Sequence, residues 1–300
     1  MTLPSWRPGS TRDAIVEFLD AAGEIPIEDR LACFDNDGTL WCEKPTYVQF
    51  EFFVDAMKTA VADDPRLADK PEFAALIEGD QEAIGAMGLM RVVHALAGLF
   101  EGISPEEFTG RARDFMARGR HFDKGLPIRK VVYQPMLEVI DELRRRDFTI
   151  SVSTGGGTEF VRSISNDLYG VAPELVVGTL IDYRFERGGD EVPGLIRTSD
   201  IVGKPNEGAE KVGNIQTQLG RRPIAAFGNS GGDREMLEWA AGGDRSGLAV
   251  LIDHDDADRE YAYEGRAVSF EEDKSIREVA SDLGWTVVSM ANDWETVFGE

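Results

Sequence analysis

The hexapeptide Phe34-Asp35-Asn36-Asp37-Gly38-Thr39 constrains the fold of this 300-residue chain more than any other segment. It ends a short apolar run, residues 31–34, that is typical of a buried β-strand. A carboxylate directly after such a strand lies at the carboxyl edge of the sheet, where open α/β sheets bind ligands. A turn at Gly38 would return Asp37 to that edge, so one carboxylate can attack or bind metal while the other carries a proton. The alternative is a plain polar turn, because Asp, Asn and Gly are ordinary turn residues.

The rest of the chain after residue 125 alternates between predicted helices and strands. Strands are predicted at residues 148–153, 174–177, 179–185, 223–227, 248–252 and 285–289, with a hairpin turn at Gly188-Gly189 leading back to residues 195–197. Helices are predicted at residues 135–146, 158–169, 206–219, 233–240 and 275–283, and a further helix is predicted at residues 11–22, before the first strand. This alternation predicts an α/β fold, a three-layer doubly wound parallel sheet with helices on both faces.

A long helical stretch interrupts this alternation after the first strand. Residues 46–119 contain no alternating β-rich run, and Ser104-Pro105-Glu106-Glu107 combines a cap residue, a proline and two acids at a helix start. We therefore expect an inserted all-helical cap domain at residues 45–124. The α/β core would then comprise residues 1–44 and 125–300.

The charge of the chain limits its partners. The formal net charge is −23, which repels a phosphate backbone, so we expect no nucleic-acid partner. Anionic substrates remain compatible, because a divalent cation and a local lysine can invert the field inside a site. The hydrophobic fraction of 42% is ample for a core of this size.

Cysteines and terminal segments exclude further classes. Cys33 and Cys42 have no CxxC spacing, so zinc and redox sites are not expected. The first residues lack a basic start followed by an apolar stretch, and no run is long enough to span a membrane. We expect a cytoplasmic protein without a membrane partner.

Two further predicted strands end in polar residues. The strand ending at Ser153 precedes Thr154-Gly155-Gly156-Gly157, where a hydroxyl and glycine amides can cradle an anion. The strand ending at Phe227 precedes Gly228-Asn229-Ser230, and Asn229 and Asp233 offer oxygen ligands that suit Mg²⁺. The alternatives are a glycine-rich turn for the first segment, and a turn with a helix cap at Asp233 for the second.

A lysine lies between these two segments. Lys204, in Gly203-Lys204-Pro205-Asn206, opens a predicted helix and can neutralise a phosphoryl oxygen there. The alternative is a solvated surface lysine. The segment is not a Walker motif, because the spacing of the preceding glycine is wrong and Pro205 replaces the Ser or Thr.

Taken together, an aspartate pair, a hydroxyl, a lysine and an acidic loop follow one another at successive strand ends. In this order they resemble the haloacid dehalogenase superfamily over residues 31–252, and the helical insert resembles that superfamily's cap. Phosphoserine phosphatases are familiar members with this layout. A more detailed resemblance, to little-characterised bacterial hydrolases of the superfamily, covers Leu3-Pro4-Ser5-Trp6, residues 35–41, residues 133–137 and Gly228-Asn229-Ser230.

The resemblance implies a phosphoric monoester hydrolase with a role for each motif. Asp35 would attack phosphorus to give an aspartyl-phosphate, and Asp37 would protonate the leaving alcohol and then activate water. The residues implied to hold the phosphoryl group are Thr154, the Gly155 amide and Lys204. Those implied to hold Mg²⁺ are Asp35, the Asp37 carbonyl, and Asn229 or Asp233. An acid at Asp37 favours phosphoryl transfer over displacement of a halide, which needs no proton.

Two positions depart from the superfamily's pattern. Asn229 stands where the acidic loop more commonly has Asp, which removes one charge from the metal site. Lys44, with Glu43 beside it, stands where phosphoserine phosphatases place a substrate-reading Glu, which puts phosphoserine in doubt. Besides a phosphatase, the sequence leaves open a phosphotransferase and a binding protein disabled at Asn229, and disfavours a halide-releasing hydrolase and the shorter receiver domains.

The expected substrate is a small phosphate ester, and the cap would select it. Candidates for the inner face of the cap are Trp41, Glu43, Lys44, Tyr47, Arg91, His94, Arg118 and His121. The competing interpretation for each is packing or solvated surface. The aromatic tail at residues 294–298 can dock on the core or on a partner, so the sequence leaves the oligomeric state open.

Overall fold

The computed structural model describes residues 2–187, 192–243 and 247–299, apart from the side chains of Gln81, Leu89 and Met90. The strands are β1 Leu31–Phe34, β2 Thr149–Gly157, β3 Val176–Glu186, β4 Gly194–Val202, β5 Ala225–Gly228, β6 Leu248–Asp253 and β7 Thr286–Ser289. They form one seven-stranded sheet in the order β4-β3-β2-β1-β5-β6-β7.

The described helices precede, follow or connect these strands. The first six are α1 Ser10–Ala21, α2 Val48–Asp63, α3 Pro71–Glu78, α4 Gln81–Met87, α5 Leu89–Ala97 and α6 Pro105–Arg118. The remainder are α7 Gln134–Arg144, α8 Thr158–Arg162, α9 Ser165–Tyr169, α10 Ala209–Leu219, α11 Arg234–Ala241, α12 Ile276–Leu283 and α13 Met290–Asp293. Ser104 accepts a hydrogen bond from the Glu107 amide, which confirms the predicted start of α6.

The sheet places β1 at its centre. β1 runs parallel to β2 and to β5, with Phe34 opposite Val152 on one side and Phe227 on the other. β4 is antiparallel to β3, so the sheet is mostly rather than wholly parallel. The predicted turn of this hairpin, Gly188-Gly189, lies outside the described residues. Helices pack on both faces, which confirms the α/β fold class.

All residues of β1 are buried, and they alternate between two cores. Ala32 and Phe34 face the core that includes α1 and α7, while Leu31 and Cys33 face α10 and α11. The Phe34 ring stacks on the Phe227 ring of β5 with centroids 4.3 Å apart. This apolar layer supports the polar residues that follow both strands.

Two predicted helices differ from the structure. The helix predicted at residues 158–169 is divided into α8 and α9 at Ile164. At this break, Ser163 Oγ donates a hydrogen bond to the Phe160 carbonyl, and Arg113 Nε donates one to the Ser163 carbonyl. These side-chain hydrogen bonds replace hydrogen bonds of a continuous helix. The helix predicted at 206–219 begins only at Ala209, because Asn206 is buried and bonded elsewhere.

The helical stretch shares its core with the α/β part of the chain. Phe52 of α2 packs against Phe108 and against Phe160 of α8, with ring centroids 5.6 and 5.3 Å apart. Arg197 of β4 exchanges backbone hydrogen bonds with Gly102 and Ile103. The stretch is therefore helical as predicted and docked on α8 and β4. Its function as a separate cap domain, with the boundaries given above, stays a prediction.

None of the helices in the described parts of the chain combines the length and the apolar character that a bilayer crossing demands.

Candidate active site

The carboxyl end of β1 places Asp35 at the base of the candidate site. Its amide donates to the Phe227 carbonyl at 2.9 Å, so the backbone keeps the sheet register through this residue. The side chain is buried, and Oδ1 accepts from Lys211 Nζ at 2.7 Å. Asp35 therefore lies at the strand end where the sequence predicted a carboxylate.

Lys211, and not the predicted Lys204, is the lysine that the structure places beside Asp35. The Lys211 side chain is 2% exposed, and its Nζ also donates to Asp233 Oδ1 at 2.6 Å. Lys204 is 75% exposed and pairs with Glu210 at 3.2 Å, as a solvated surface lysine does. The sequence carried one signal for Lys211, because it lies four residues before Ile215 on the buried face of α10.

The turn after β1 brings Asp37 back to the site. Its Oδ1 accepts from Trp41 Nε1 at 2.9 Å, and its Oδ2 lies 3.4 Å from Thr154 Oγ1. Gly38 has a φ of +76°, and a Cβ there would overlap the Asn229 side chain. Glycine is therefore required for both conformation and space.

Thr154 and Gly155 lie in the last part of β2, which continues to Gly157 and so extends beyond the strand end predicted at Ser153. The Thr154 hydroxyl accepts from the Gly156 amide at 3.0 Å while facing Asp37. Asn206, which sequence reasoning missed as a site residue, donates from Nδ2 to the Thr154 carbonyl at 2.9 Å. Gln49 of α2 accepts from the Gly157 amide at 2.8 Å, which links the helical stretch to this loop.

The loop after β5 places Asn229 and Asp233 beside the first carboxylates. Asp233 Oδ2 accepts from the amides of Asn229 and Ser230 at 3.1 and 3.0 Å. Its Oδ1 is held by Lys211, so both oxygens have protein partners. The Asn229 amide group lies between Thr39, which donates to its Oδ1 at 3.4 Å, and Glu43, which accepts from its Nδ2 at 3.3 Å. Asp233 as a direct metal ligand stays a prediction.

The electrostatics of the cluster follow from burial. Burial and the nearby Asp233 carboxylate raise the pKa of Asp35 well above its usual range, although Lys211 opposes the shift. Burial also raises the pKa of Asp37. For Lys211, burial lowers the pKa but the carboxylates of Asp233 and Asp35 outweigh it, so the net pKa is raised and the ammonium is retained.

Oxygen atoms around Asp35 fit a hard cation. Among the described residues, Asp35 Oδ2 and the Asp37 main-chain carbonyl accept no hydrogen bond, and Asn229 Oδ1 receives only the 3.4 Å contact from Thr39. Carboxylate, carbonyl and amide oxygens are the donors that Mg²⁺ prefers. Acid, His and Cys side chains alone form no three-ligand group within 2–187, 192–243 and 247–299, so a cation here would need the amide and main-chain oxygens.

The residues predicted to line the cap separate into two groups. One group contacts the site or its immediate neighbours, and consists of Trp41, Glu43, Lys44, Tyr47 and His121. The other is exposed, and consists of Arg91, His94 and Arg118. Arg91 and Arg118 form ion pairs of 2.6 and 2.5 Å within the helical stretch, as surface residues do.

A family model decides the identity of this arrangement. The model of the haloacid dehalogenase-like hydrolases matches residues 32–238, which include every site segment described above. The chain belongs to the haloacid dehalogenase-like hydrolase family. The prediction of an enzyme of this superfamily is thereby confirmed. A search of curated proteins found no match for this hydrolase.

Solved structures similar to this hydrolase support the fold. A protein of unknown function from Bordetella pertussis Tohama I is 20% identical, with a TM-score of 0.56 over 87% of this chain and 98% of its own. A functionally unknown protein from Anaerococcus prevotii DSM 20548 is 13% identical, with a TM-score of 0.54 over 85% and 89%. At such identities the likeness is evidence of fold alone.

Proposed function

We propose that this hydrolase is a Mg²⁺-dependent phosphatase that cleaves a small phosphorylated metabolite through an aspartyl-phosphate intermediate. The observation that most supports the proposal is the buried ammonium of Lys211 between Asp35 and Asp233, at 2.7 and 2.6 Å. A carboxylate cannot approach a phosphate dianion unless positive charge offsets their repulsion. Lys211 supplies part of that charge directly at the proposed nucleophile.

Asp35 and Asp37 would carry the two steps of the reaction. An Asp35 oxygen attacks phosphorus, the ester P–O bond breaks, and Asp37 gives its proton to the leaving alcohol. Asp37 then takes a proton from a water molecule whose oxygen attacks the same phosphorus, and inorganic phosphate leaves. The Asp35 carboxylate is regenerated. Trp41, which donates to Asp37 at 2.9 Å, holds the acid–base group in position.

The phosphoryl group would be bound by residues from the end of β2 and from α10. These are the Thr154 hydroxyl, the Gly155 amide and Lys211, which replaces Lys204 in this role. A Mg²⁺ ion held by Asp35, the Asp37 carbonyl and Asn229, or Asp233, would supply further positive charge against the phosphoryl oxygens. Positioning and charge neutralisation would provide most of the acceleration.

The helical stretch would act as the cap that selects a small-molecule substrate. Gln49 supports this role, because it reaches from α2 to the Gly157 amide beside the proposed phosphate cradle. The cytoplasmic location and the absence of a nucleic-acid partner stay predictions, and the oligomeric state is open.

Asn229 favours one competing function, a phosphate-binding protein without turnover. Its amide carries no charge, and it is engaged by Glu43 at 3.3 Å. A phosphotransferase would share the first step and pass the phosphoryl group to an alcohol instead of water. A halide-releasing enzyme is disfavoured, because it would have no use for the proton that Asp37 carries.

The test is phosphate release from a panel of small phosphate esters, with and without Mg²⁺. We expect metal-dependent release by the parent and none by Asp35→Asn. Asp20→Asn, at a side chain 69% exposed, is the matched control and should keep full activity. Binding without release by the folded parent would support the binding protein instead, and release that needs an added alcohol would support the transferase.

A further inference from the structure

Lys44 lies beside the site described above but has no part in the proposed chemistry. It follows Glu43, whose Oε1 accepts from Asn229 Nδ2 at 3.3 Å. Its Nζ lies 4.6 Å from the centroid of the Tyr263 ring and 5.9 Å from that of Tyr47. Its side chain is 35% exposed, so an incoming molecule can reach the ammonium.

The hydrogen-bond donors of this ammonium are uncommitted. Its ion-pair contact with Glu43 Oε1 measures 3.9 Å, which is beyond hydrogen-bond distance. No described residue accepts a hydrogen bond from Lys44 Nζ. The two tyrosine rings attract its charge through their faces but offer no lone pair to its N–H groups. Lys211 differs, because two carboxylates occupy its ammonium.

The main chain of Lys44 is held in place. Its carbonyl lies 2.7 Å from His121 Nε2 and accepts from Cys42 Sγ at 3.3 Å. The neighbouring rings of Tyr47 and Tyr263 restrict the side chain as well. A group that binds this ammonium therefore meets a partly ordered partner, which lowers the entropic cost of binding.

The rest of the site is lined by acidic side chains, opposite in sign to Lys44. Asp35, Asp37, Asp233 and Glu43 are acidic side chains with oxygen acceptors, so an ammonium on the substrate would find hydrogen-bond partners there without any contribution from Lys44. An accessible lysine at the edge of this acidic cluster instead favours a negatively charged substituent on the substrate. It would repel a cationic substituent and bind an anionic one through charge-assisted hydrogen bonds.

We propose that Lys44 binds a second anionic group, a carboxylate or a second phosphate, on the phosphate ester that this hydrolase cleaves. This inference rests on the proposed phosphatase function and narrows its substrate class to short esters with a terminal negative charge. Lys44 would thus determine specificity, while Asp35 and Asp37 perform the chemistry.

The experiment compares three series of alkyl phosphates of two to four carbons, ending in a carboxylate, a methyl or an ammonium group. We expect the parent to prefer the best carboxylate over its methyl counterpart by about tenfold to a hundredfold in kcat/KM. The ammonium series should be the poorest. Lys44→Met should abolish the preference and leave the methyl series nearly unchanged, while Lys44→Arg should keep it.

Matched controls separate this inference from the proposed function. Lys204→Met removes an exposed lysine and should leave all ratios as in the parent. Calorimetric titration of the same esters into Asp35→Asn, with and without Lys44→Met, measures binding without turnover. Turnover with a preference that Lys44→Met does not change would overturn the inference and leave the phosphatase standing.

The converse result is equally decisive. Lys44-dependent binding of the carboxylate series, without turnover by the parent, would overturn the phosphatase and support the inference. Neither binding nor turnover of any series would overturn both.

Discussion

Lys211 is the residue on which the charge balance of the site depends. It is buried with two carboxylates, and each of the three groups is tolerated there only because of the others. Breaking a buried ion pair by removing one partner is strongly destabilising, because an uncompensated charge stays behind. Catalysis and stability are therefore coupled at this position.

We predict that Lys211→Met lowers phosphate release by about a hundredfold or more. It should also lower the free energy of unfolding by about 3 kcal/mol, since Asp35 and Asp233 would face each other without a cation. Urea unfolding and steady-state kinetics measure the two effects. Lys204→Met is the control and should change neither. Adding Asp35→Asn to Lys211→Met should recover part of the stability, and full activity of Lys211→Met would contradict the assignment.

Glu51 gives a pH dependence away from the site. Burial raises its pKa from the ordinary 4.5 of a glutamate to about 7. Its contribution to stability is therefore fully present below about pH 4.5 and is lost as the pH rises through about 7.

We predict that the free energy of unfolding of Glu51→Gln, measured in urea, matches that of the parent near pH 5 and exceeds it by about 1–2 kcal/mol at pH 8.5. Glu17→Gln, at an exposed position of α1, should give no such crossover. Equal stabilities of Glu51→Gln and the parent at both pH values would refute this prediction.

At the scale of elements, the turn after β1 joins the two carboxylates to the Asn229 loop. Gly38 and Gly79 both have positive φ, at +76° and +69°, but only Gly38 has a neighbour that a Cβ would strike. Substitution of Gly79 therefore tests backbone strain alone, while substitution of Gly38 tests backbone strain together with a steric clash. The Gly38 turn packs directly against Asn229 of the loop after β5, whereas the Gly79 turn only ends α3.

We predict that Gly79→Ala costs about 1–2 kcal/mol of unfolding free energy and keeps full activity. Gly38→Ala should cost more and should lose phosphate release, because the added methyl group displaces Asn229. Chemical denaturation and kinetics on both variants test this difference. Equal behaviour of the two variants would show that the close approach to Asn229 has no importance.

The hairpin of β3 and β4 holds the helical stretch through Arg197. This side chain is 3% exposed, donates to Glu159 at 2.6 Å, and lies 4.6 Å from the centroid of the Phe108 ring. It therefore joins α8, α6 and β4 at one point. Arg184 and Glu186, on the same hairpin, form a solvent-exposed ion pair instead.

We predict that Arg197→Met destabilises the protein by about 3–5 kcal/mol and speeds hydrogen exchange in α5 and α6. Exchange measured by mass spectrometry locates the effect. Arg184→Met is the matched control and should cost at most about 1 kcal/mol. Unchanged exchange in the helical stretch of Arg197→Met would show that the arginine does not hold it.

At the scale of the whole molecule, the sequence predicted the positions of Asp35, Thr154 and Asn229 because one rule governs them. Parallel strands end at a common edge, so polar residues after them converge. Lys211 escaped prediction because it enters from the buried face of α10, and no strand end marks it. The Arg197–Glu159 contact also depends on packing between distant segments, which local patterns do not encode.

The overall charge of −23 sets the context for the site. Such a field disfavours anionic ligands in general, so a phosphate ester binds only where local cations reverse it. Lys211 and a metal ion would do so at the phosphoryl group, and Lys44 would do so at the far end of the substrate. Because these cations act at different ends of the substrate, each of them can be tested separately.

The most direct test of the central claim, that Asp35 is the nucleophile, uses Asp37→Asn with p-nitrophenyl phosphate and Mg²⁺. Nitrophenolate leaves without a proton, so the first step should proceed, while the second stalls for lack of a base. We predict a burst of one nitrophenolate per enzyme, and one phosphoryl group on the Asp35 peptide after acid quench and mass spectrometry. Steady release without that adduct, or an adduct on another residue, would contradict the mechanism.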